Sequence, residues 1–250
     1  DHGFDHFHGF LGDMMDDYWT HTRHDRHYMR LNTVDVRPEG HATDIFSDWA
    51  ADYITSRVGK VQPWFCYLAF NAPHTPVQPP QAYLEKVLSR DPGMNPTRAK
   101  LVAFIEHLDA GMGRVVDCLK KTGQAENTLI VFTSDNGGHK GSLAHCGPHR
   151  GFKQEMYEGG IAVPFCAVWP GHIAPGSRSN LVALTSDLFP TFCEAAGATI
   201  EHEIDGMSIL PTLLGKRQSF DRTLFWVRRE GGQIYQGQDY YAVRRGPWKL

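Results

Sequence analysis

The sequence predicts an α/β fold in which helices flank a doubly wound, mostly parallel sheet. Two short apolar runs, residues 64–70 and 129–132, are typical of buried strands. Residues 97–119, which lie between these runs, carry apolar side chains at helical spacing. Strand, helix and strand therefore alternate along the chain, as they do in a parallel sheet with crossover helices.

The N-terminal part begins without a clear period. In residues 1–30 aromatic residues alternate with His, Asp and Gly, which predicts an irregular surface loop region. From Thr43 onwards the apolar spacing is helical, and Gly59 is expected to end this helix. Residues 77–96 are rich in proline and polar side chains and predict a connection without a helix.

The later elements follow from similar signals. Residues 161–169 predict a strand, and residues 185–196 predict a helix that ends at Gly197. A shorter helix is expected within residues 205–217. The polar alternation near residues 240–250 indicates the start of a small antiparallel element. We therefore expect a central α/β part over residues 1–235 and the beginning of a C-terminal subdomain over 236–250.

Composition limits the classes of function. The chain has 250 residues, 41% hydrophobic content, 21% charged content and a formal net charge of -3, which suit one large globular α/β domain. The cationic residues are scattered, so a nucleic-acid partner is not expected. No apolar run reaches the roughly eighteen residues that a membrane span needs. The five cysteines have no C-x-x-C spacing and predict neither a disulfide framework nor a zinc site.

The most informative stretch follows the predicted strand at residues 129–132. Asp135 and Asn136 come directly after it, where ligands bind at the carboxyl ends of strands in an open α/β sheet. Hard oxygen ligands suit Ca²⁺ or Mg²⁺. The same residues with Gly137 and Gly138 are also typical of a plain turn, so local sequence leaves both interpretations open.

Two further residues are candidates for catalysis. His74 lies between Pro73 and Pro76 at the end of the predicted strand 64–70, where it can act as a ligand or a proton donor, or merely pack against a proline turn. Lys153 lies in a glycine-rich segment that also carries several His and Arg side chains. This concentration of cationic groups favours a site for an anion.

Several segments, in order and over nearly the whole chain, together resemble the type I sulfatases. They are GFDHFHGFLG, FCYLAFNAPHTP, EHLDAGMGRV, NTLIVFTSDNGGH, RGFKQEMYEGGIAVPFCAVWPG, TSDLFPTFCEAAG, DGMSILPTLLG and AVRRGPWKL. Each motif is weak alone, but their common order and spacing make the resemblance strong.

The resemblance implies an alkaline-phosphatase-like fold and hydrolysis of small-molecule or carbohydrate sulfate esters in a secreted, periplasmic or lysosomal protein. In that family a hydrated formylglycine, made from Cys or Ser in a C-x-P-S-R segment, attacks sulfur. A divalent cation, usually Ca²⁺, is held by two early aspartates and a later pair that matches Asp135 and Asn136. His74 and Lys153 match the family residues that touch the sulfate or the leaving-group oxygen.

The chain also departs from the family pattern. The first strand, the early aspartates and the nucleophile segment are not found, and we expect them upstream of Asp1. Residues 146–150, CGPHR, fit C-x-P-x-R but lie in the later glycine-rich loop, so we interpret Cys146 as a loop thiol and not as a modification site.

Two other functions stay open. The chain could belong to a phosphatase or phosphonate-ester hydrolase of the same superfamily, or to a non-catalytic protein that binds a sulfated ligand. The nucleophile segment would discriminate among the three.

Overall fold

The computed structural model describes residues 3–229 and 239–250. The chain divides into two compact units, of which the first comprises residues 1–125 and 141–144 and the second residues 126–140 and 145–250. The predicted boundary between residues 235 and 236 lies outside the described residues.

The strands of the first unit are short and antiparallel. They are β1 (His8–Phe10), β2 (Thr22–Arg23), β3 (Arg26–His27), β4 (Met29–Leu31) and β5 (Val34–Asp35). One sheet has the order β1-β4-β5, and β2 pairs with β3 across the two-residue turn His24-Asp25. Both turn residues have positive φ, 50° and 58°. Two-residue hairpin turns require such angles, because the turn must match the twist of the two strands.

The prediction of an irregular surface loop over residues 1–30 was therefore wrong in part. Met15, Tyr18 and Met29 are almost fully buried and belong to the main hydrophobic core. The strands here have only two or three residues, so no sequence period of two could develop.

Three helices complete the first unit, namely α1 (Ala42–Ser56), α2 (Gln81–Arg90) and α3 (Pro96–Lys121). α1 and α3 confirm the predicted helices. The cap of α1 is His41, whose Nδ1 accepts a 3.1 Å hydrogen bond from the backbone nitrogen of Thr43. The Asn95 side chain caps α3, and Pro96 occupies its first position.

The sequence did not predict α2. Pro80 precedes it and no side chain caps its N-terminus, so the local start signal is missing. Tertiary packing stabilises it instead, because Val87 is fully buried against Ala99 and Ala103 of α3.

The predicted strand at residues 64–70 was also wrong. This segment is neither helix nor strand, and it has no ladder partner among the described residues. A strand forms only where a neighbour accepts and donates its backbone hydrogen bonds. All the described ladders are antiparallel, so the predicted parallel sheet is not found in residues 3–229 and 239–250.

In the second unit, β6 (Ile130–Thr133) pairs antiparallel with β7 (Phe165–Val168). β6 confirms the predicted strand with a shift of one residue. β7 begins four residues later than predicted, since Ile161 ends α4 (Glu158–Ile161) and residues 162–164 belong to neither helix nor strand. α5 (Leu188–Ala196) ends at Gly197, which has a φ of 69° as expected for a left-handed cap.

The C-terminal part of the second unit contains a short helix and a sheet. α6 (Leu210–Leu213) is shorter than the helix expected there. β8 (Thr223–Arg228), β9 (Tyr240–Arg245) and β10 (Trp248–Lys249) form an antiparallel sheet with the order β10-β9-β8. The predicted antiparallel character of this region is confirmed.

A buried ion pair joins the start of β8 to α5. The fully buried Asp187 carboxylate receives both terminal nitrogens of Arg222, one of them at 2.7 Å. The backbone nitrogens of Leu184 and Met207 donate to the same carboxylate. Burial alone would raise the pKa of Asp187, but the bonds from Arg222 and the two backbone nitrogens hold it below its ordinary value.

Of the helices that the structure describes, none has the length and apolar character that crossing a membrane requires.

Candidate active site

The Asp-Asn-Gly-Gly turn directly follows β6. Ser134 Oγ donates to the Asn136 carbonyl oxygen at 3.2 Å and makes a long 3.4 Å contact with Asp135 Oδ1. Asn136 Nδ2 donates to the Gly137 carbonyl oxygen at 2.9 Å, and no group of the described residues donates to the amide oxygen of Asn136. Asp135 is exposed, and no cationic side chain of the described residues pairs with it. One carboxylate and one amide oxygen are thus available to a cation.

The glycines around this turn are required by close backbone packing. The Gly137 nitrogen donates to the Gly160 carbonyl oxygen at 2.9 Å. A Cβ added to Gly137 would lie 1.8 Å from the Gly159 carbonyl oxygen, and one added to Gly159 would lie 2.0 Å from that of Gly151. Gly137 does not have a positive φ. The backbone angles of the turn therefore do not require glycine at this position, whereas the close contact with the Gly159 carbonyl oxygen does.

Lys153 belongs to the same packed backbone. Its nitrogen donates a 2.8 Å hydrogen bond to the carbonyl oxygen of Gly138, two residues after Asn136. The side chain is half-buried, and none of the described residues accepts a hydrogen bond from its ammonium group. The nearby Arg150, by contrast, stacks on the Tyr157 ring at 3.8 Å. Lys153 is therefore a cation available to an external anion.

Glu158 connects the glycine segment to the C-terminal sheet. Lys249 Nζ lies 2.7 Å from Glu158 Oε1, and Arg244 Nη1 lies 3.7 Å from Oε2. The hydrogen bond from Lys249 is the main reason that the pKa of Glu158 lies below its ordinary value. Since Gly159 and Gly160 follow directly, this contact fixes the segment that packs on Gly137.

His74 lies in the first unit. Its Nδ1 is 2.8 Å from the carbonyl oxygen of Thr75, and its own carbonyl oxygen accepts a bond from the Tyr18 hydroxyl. A carbonyl can only accept, so Nδ1 carries the proton and Nε2 remains for another partner. The ring is half-buried.

Sequence reasoning missed a cluster of His41, Asp44 and His107 in the first unit. Their ligand atoms lie within 4.8 Å of one another, close enough to hold a metal ion. His107 Nε2 lies 3.0 Å from Asp44 Oδ1, and Arg114 also donates to this oxygen. Only one signal was available beforehand, namely that His107 interrupts the apolar face of α3.

Both ring nitrogens of His41 are already occupied in this cluster. Nδ1 accepts from Thr43, and Nε2 lies 3.0 Å from the carbonyl oxygen of Gln78. Burial first, and then repulsion from His107, lower the pKa of His41 to about 4. Two nitrogens and one oxygen also suit a transition metal better than Ca²⁺. We therefore interpret the cluster as a structural hydrogen-bond network.

The pair Asp135 and Asn136 fits a hard cation better. Both supply oxygen atoms, and within the described part of the chain no cationic side chain pairs with either of them. Calcium takes six to eight oxygen ligands, so these two residues would form one side of a complete site.

Cys146 lies in the loop before Arg150. It is a half-buried free thiol, and the His149 nitrogen donates to its carbonyl oxygen at 3.2 Å. This contact closes a local turn.

Comparison with known proteins places these residues in a family. The Sulfatase family profile matches residues 1–198, and that of the N-sulphoglucosamine sulphohydrolase C-terminal region matches residues 147–250. N-acetylgalactosamine-6-sulfatase of Mus musculus is 32% identical over 217 residues, which are 84% of this chain and 38% of the relative. The chain thus spans about two fifths of the length of this relative.

Two solved structures are also similar. Ps i-CgsB, crystallised in complex with k-i-k-neocarrahexaose, is 31% identical with a TM-score of 0.88, over 99% of this chain and 57% of that chain. The phosphonate monoester hydrolase SpPMH from Silicibacter pomeroyi is 21% identical with a TM-score of 0.64, over 97% of this chain and 57% of that chain, which shows a shared fold alone. The α/β fold is therefore shared with these proteins, and the family profile decides the assignment. The chain belongs to the sulfatase family.

Proposed function

We propose that the full-length protein hydrolyses sulfate monoesters and that Asp135, Asn136, Lys153 and His74 belong to its active site. The observation that supports this most strongly is the turn after β6. It presents one carboxylate and one amide oxygen that can bind a cation, and its backbone is hydrogen-bonded to that of Lys153, whose ammonium group has no partner within residues 3–229 and 239–250. Such a pairing suits a cation-bound anionic substrate. The chain that carries this turn belongs to the sulfatase family.

Asp135 and Asn136 would hold a divalent cation, most favourably Ca²⁺, with the Asp135 carboxylate and the Asn136 amide oxygen as ligands. The cation, when bound, withdraws electrons from the sulfate oxygens. The Asn136 amide is oriented for this role because its nitrogen is engaged by Gly137. Asp135 contributes the negative charge.

Lys153 binds a sulfate oxygen and neutralises the negative charge that develops on the leaving group. Its backbone bond to Gly138 fixes the start of the side chain, so that less conformational freedom is lost when the ester binds. The lysine thereby orients the ester.

His74 exchanges a proton with the leaving-group oxygen through Nε2. The Thr75 carbonyl oxygen accepts from Nδ1 and thus selects this tautomer. Nε2 has no proton in this tautomer, so His74 can donate to the oxygen of the departing alcohol only as the imidazolium, in which both ring nitrogens are protonated.

None of these four residues is a nucleophile. We propose that a formylglycine from a C-x-P-S-R segment outside residues 1–250 fulfils that role, in a complete domain with an alkaline-phosphatase-like, doubly wound parallel sheet. Residues 1–235 would form its central part, and residues 236–250 would begin a C-terminal subdomain. The 250-residue chain alone should then hydrolyse no sulfate ester at a measurable rate.

The substrate class that we propose is a carbohydrate sulfate ester. The support is indirect, because one relative is named for a sulfated sugar and another was crystallised with a carrageenan-type hexasaccharide. The second candidate is a phosphonate monoester, which the shared fold with a phosphonate monoester hydrolase favours.

The test is a competition between two substrates with the same leaving group. The full-length protein is assayed with 4-nitrophenyl sulfate and with 4-nitrophenyl phenylphosphonate, each with Ca²⁺ and after chelation. We expect the sulfate to be the better substrate and chelation to remove its turnover. Faster cleavage of the phosphonate would favour the second candidate. Binding of a sulfated saccharide without any turnover would favour a non-catalytic binder.

A further inference from the structure

A groove of about 560 Å³ lies in the second unit, and none of residues 134–153 lines it. Three segments form it, namely residues 179–182, residues 217–224 and the turn between β9 and β10. Its volume falls within the range of about 300–1,000 Å³ that is typical of small-molecule sites. A single ion would leave most of it unfilled.

The charged residues that line the groove are all cationic. They are Arg217, Arg222 and Arg244, and no Asp or Glu of the described residues lines it. Arg222 is neutralised by Asp187, and Arg244 lies 3.7 Å from Glu158. Within the described ranges, Arg217 has no ion-pair partner and is exposed. The groove therefore carries an excess of positive charge.

Arg222 adds a donor that the protein does not satisfy. Its Nε is buried and has no hydrogen-bond partner among the described residues. The two bonds to Asp187 hold the guanidinium in place, so this N–H cannot turn towards water. This N–H is covered by protein and not open to the groove, so Arg222 helps to form the wall of the groove and leaves the contact with an external anion to Arg217.

The remaining lining is that of a saccharide site and not of a simple ion site. Phe220 and Pro247 provide apolar faces, and Ser219 and Asn180 provide hydroxyl and amide groups. A few polar groups among apolar walls are typical of sites that orient an organic ligand. A sugar ring presents both C–H faces and hydroxyl groups.

From these contacts we propose that the groove is an accessory site for a sulfate group carried by a saccharide, with Arg217 as the anion contact. The arginine fork matches the geometry of a tetrahedral oxyanion. This inference goes beyond the proposed function, because it requires no hydrolysis and no residue of the candidate active site.

Arg217→Gln is the informative variant, since Arg217 is exposed and its loss breaks no ion pair of the protein. Lys216→Gln is the matched control. It removes the same charge from an exposed neighbouring residue that does not line the groove. Arg222 and Arg244 are unsuitable because they also hold Asp187 and Glu158.

Binding is measured by calorimetry with the full-length protein in an Asp135→Asn background, which weakens the candidate active site. The probes are a sulfated carrageenan hexasaccharide, its desulfated form and sodium sulfate. We expect Arg217→Gln to weaken binding of the sulfated hexasaccharide about tenfold, the loss typical of one charge-assisted hydrogen bond. Lys216→Gln should leave it unchanged.

The two other probes show whether the groove binds a sulfated saccharide or a free sulfate ion. The desulfated hexasaccharide and sodium sulfate should each bind far more weakly than the sulfated hexasaccharide. Equal binding of sodium sulfate, with the same loss in Arg217→Gln, would overturn the saccharide assignment and leave a site for the free ion. Equal behaviour of Arg217→Gln and Lys216→Gln would overturn the groove site itself. Turnover of 4-nitrophenyl sulfate, measured separately, should be unchanged in Arg217→Gln, so that failure of the proposed function is distinguishable.

Discussion

The backbone nitrogen of Lys153 donates a 2.8 Å hydrogen bond to the carbonyl oxygen of Gly138. This bond joins the glycine-rich segment to the turn that carries Asp135 and Asn136, although 15 residues separate the bonded pair in the numbering of the chain. Lys153 and the two oxygen ligands are therefore attached to one packed piece of backbone. Their relative position depends on main-chain contacts that substitution of a side chain leaves intact.

Replacing Lys153 should impair turnover more than substrate binding. We expect Lys153→Gln to lower the kcat of the full-length protein for an aryl sulfate by about 10²–10³, as loss of one charge-stabilising donor does elsewhere. Lys140→Gln is the control, since this exposed lysine lies in the same loop and loses the same charge. A rise in KM with unchanged kcat would show that Lys153 only binds the ground state.

Adding a side chain to Gly159 should disrupt the packed backbone. In Gly159→Ala the new Cβ would meet the Gly151 carbonyl oxygen at 2.0 Å, so one of the segments must move. We expect a loss of about 3 kcal/mol or more in the free energy of unfolding, measured by denaturant titration.

The matched control is Gly113→Ala on α3, where nothing lies within 4 Å of the added Cβ. There the substitution should stabilise the helix, by up to about 1 kcal/mol. Similar destabilisation of both variants would contradict close packing at Gly159.

The stability of the first unit should fall on mild acidification. The pKa of His41 is lowered from 6.5 to about 4 in the fold, so the unfolded chain binds the proton more tightly. The stabilisation by neutral His41 is complete above pH 6.5 and is lost as the pH falls towards 4. Its size is on the order of 3 kcal/mol.

The measurement is the free energy of unfolding between pH 7 and pH 4 for His41→Asn. Asparagine can still cap α1, so the variant should fold but show a weaker pH dependence in this window. His24→Asn, at an exposed turn position with a φ of 50°, is the control and should keep the wild-type profile. A wild-type slope in His41→Asn would contradict this origin of the acid sensitivity.

The sequence predicted correctly those helices whose apolar spacing and capping residues lie within or next to the helix itself. α3 has a long apolar stripe, an asparagine cap and a first-turn proline, and its position is confirmed. Gly197 ends α5 in the conformation that glycine favours. The motifs also sufficed for the family, because their order along the chain carries more information than any one of them.

Sequence reasoning failed where a feature depends on distant partners. Residues 64–70 have strand composition, but pairing needs a second segment, and none of the described residues provides it. α2 lacks a cap and depends on the burial of Val87. The contact of His107 with Asp44 joins α3 to α1, and the spacing of residues within either helix does not predict it. The close approach of Gly137 to Gly159 is equally long-range.

The most direct test of the metal site is a titration of the full-length protein with Ca²⁺, in which calorimetry measures the Kd. Asp135→Asn removes the charged ligand with little change in shape, and Asp205→Asn removes the same charge from an exposed position of the second unit. We expect the Kd for Ca²⁺ to rise at least about tenfold in Asp135→Asn, because Ca²⁺ affinity depends on the number of charged oxygen ligands. Asp205→Asn should bind Ca²⁺ like the wild type. Equal affinity of all three proteins would contradict the assignment of Asp135 as a metal ligand.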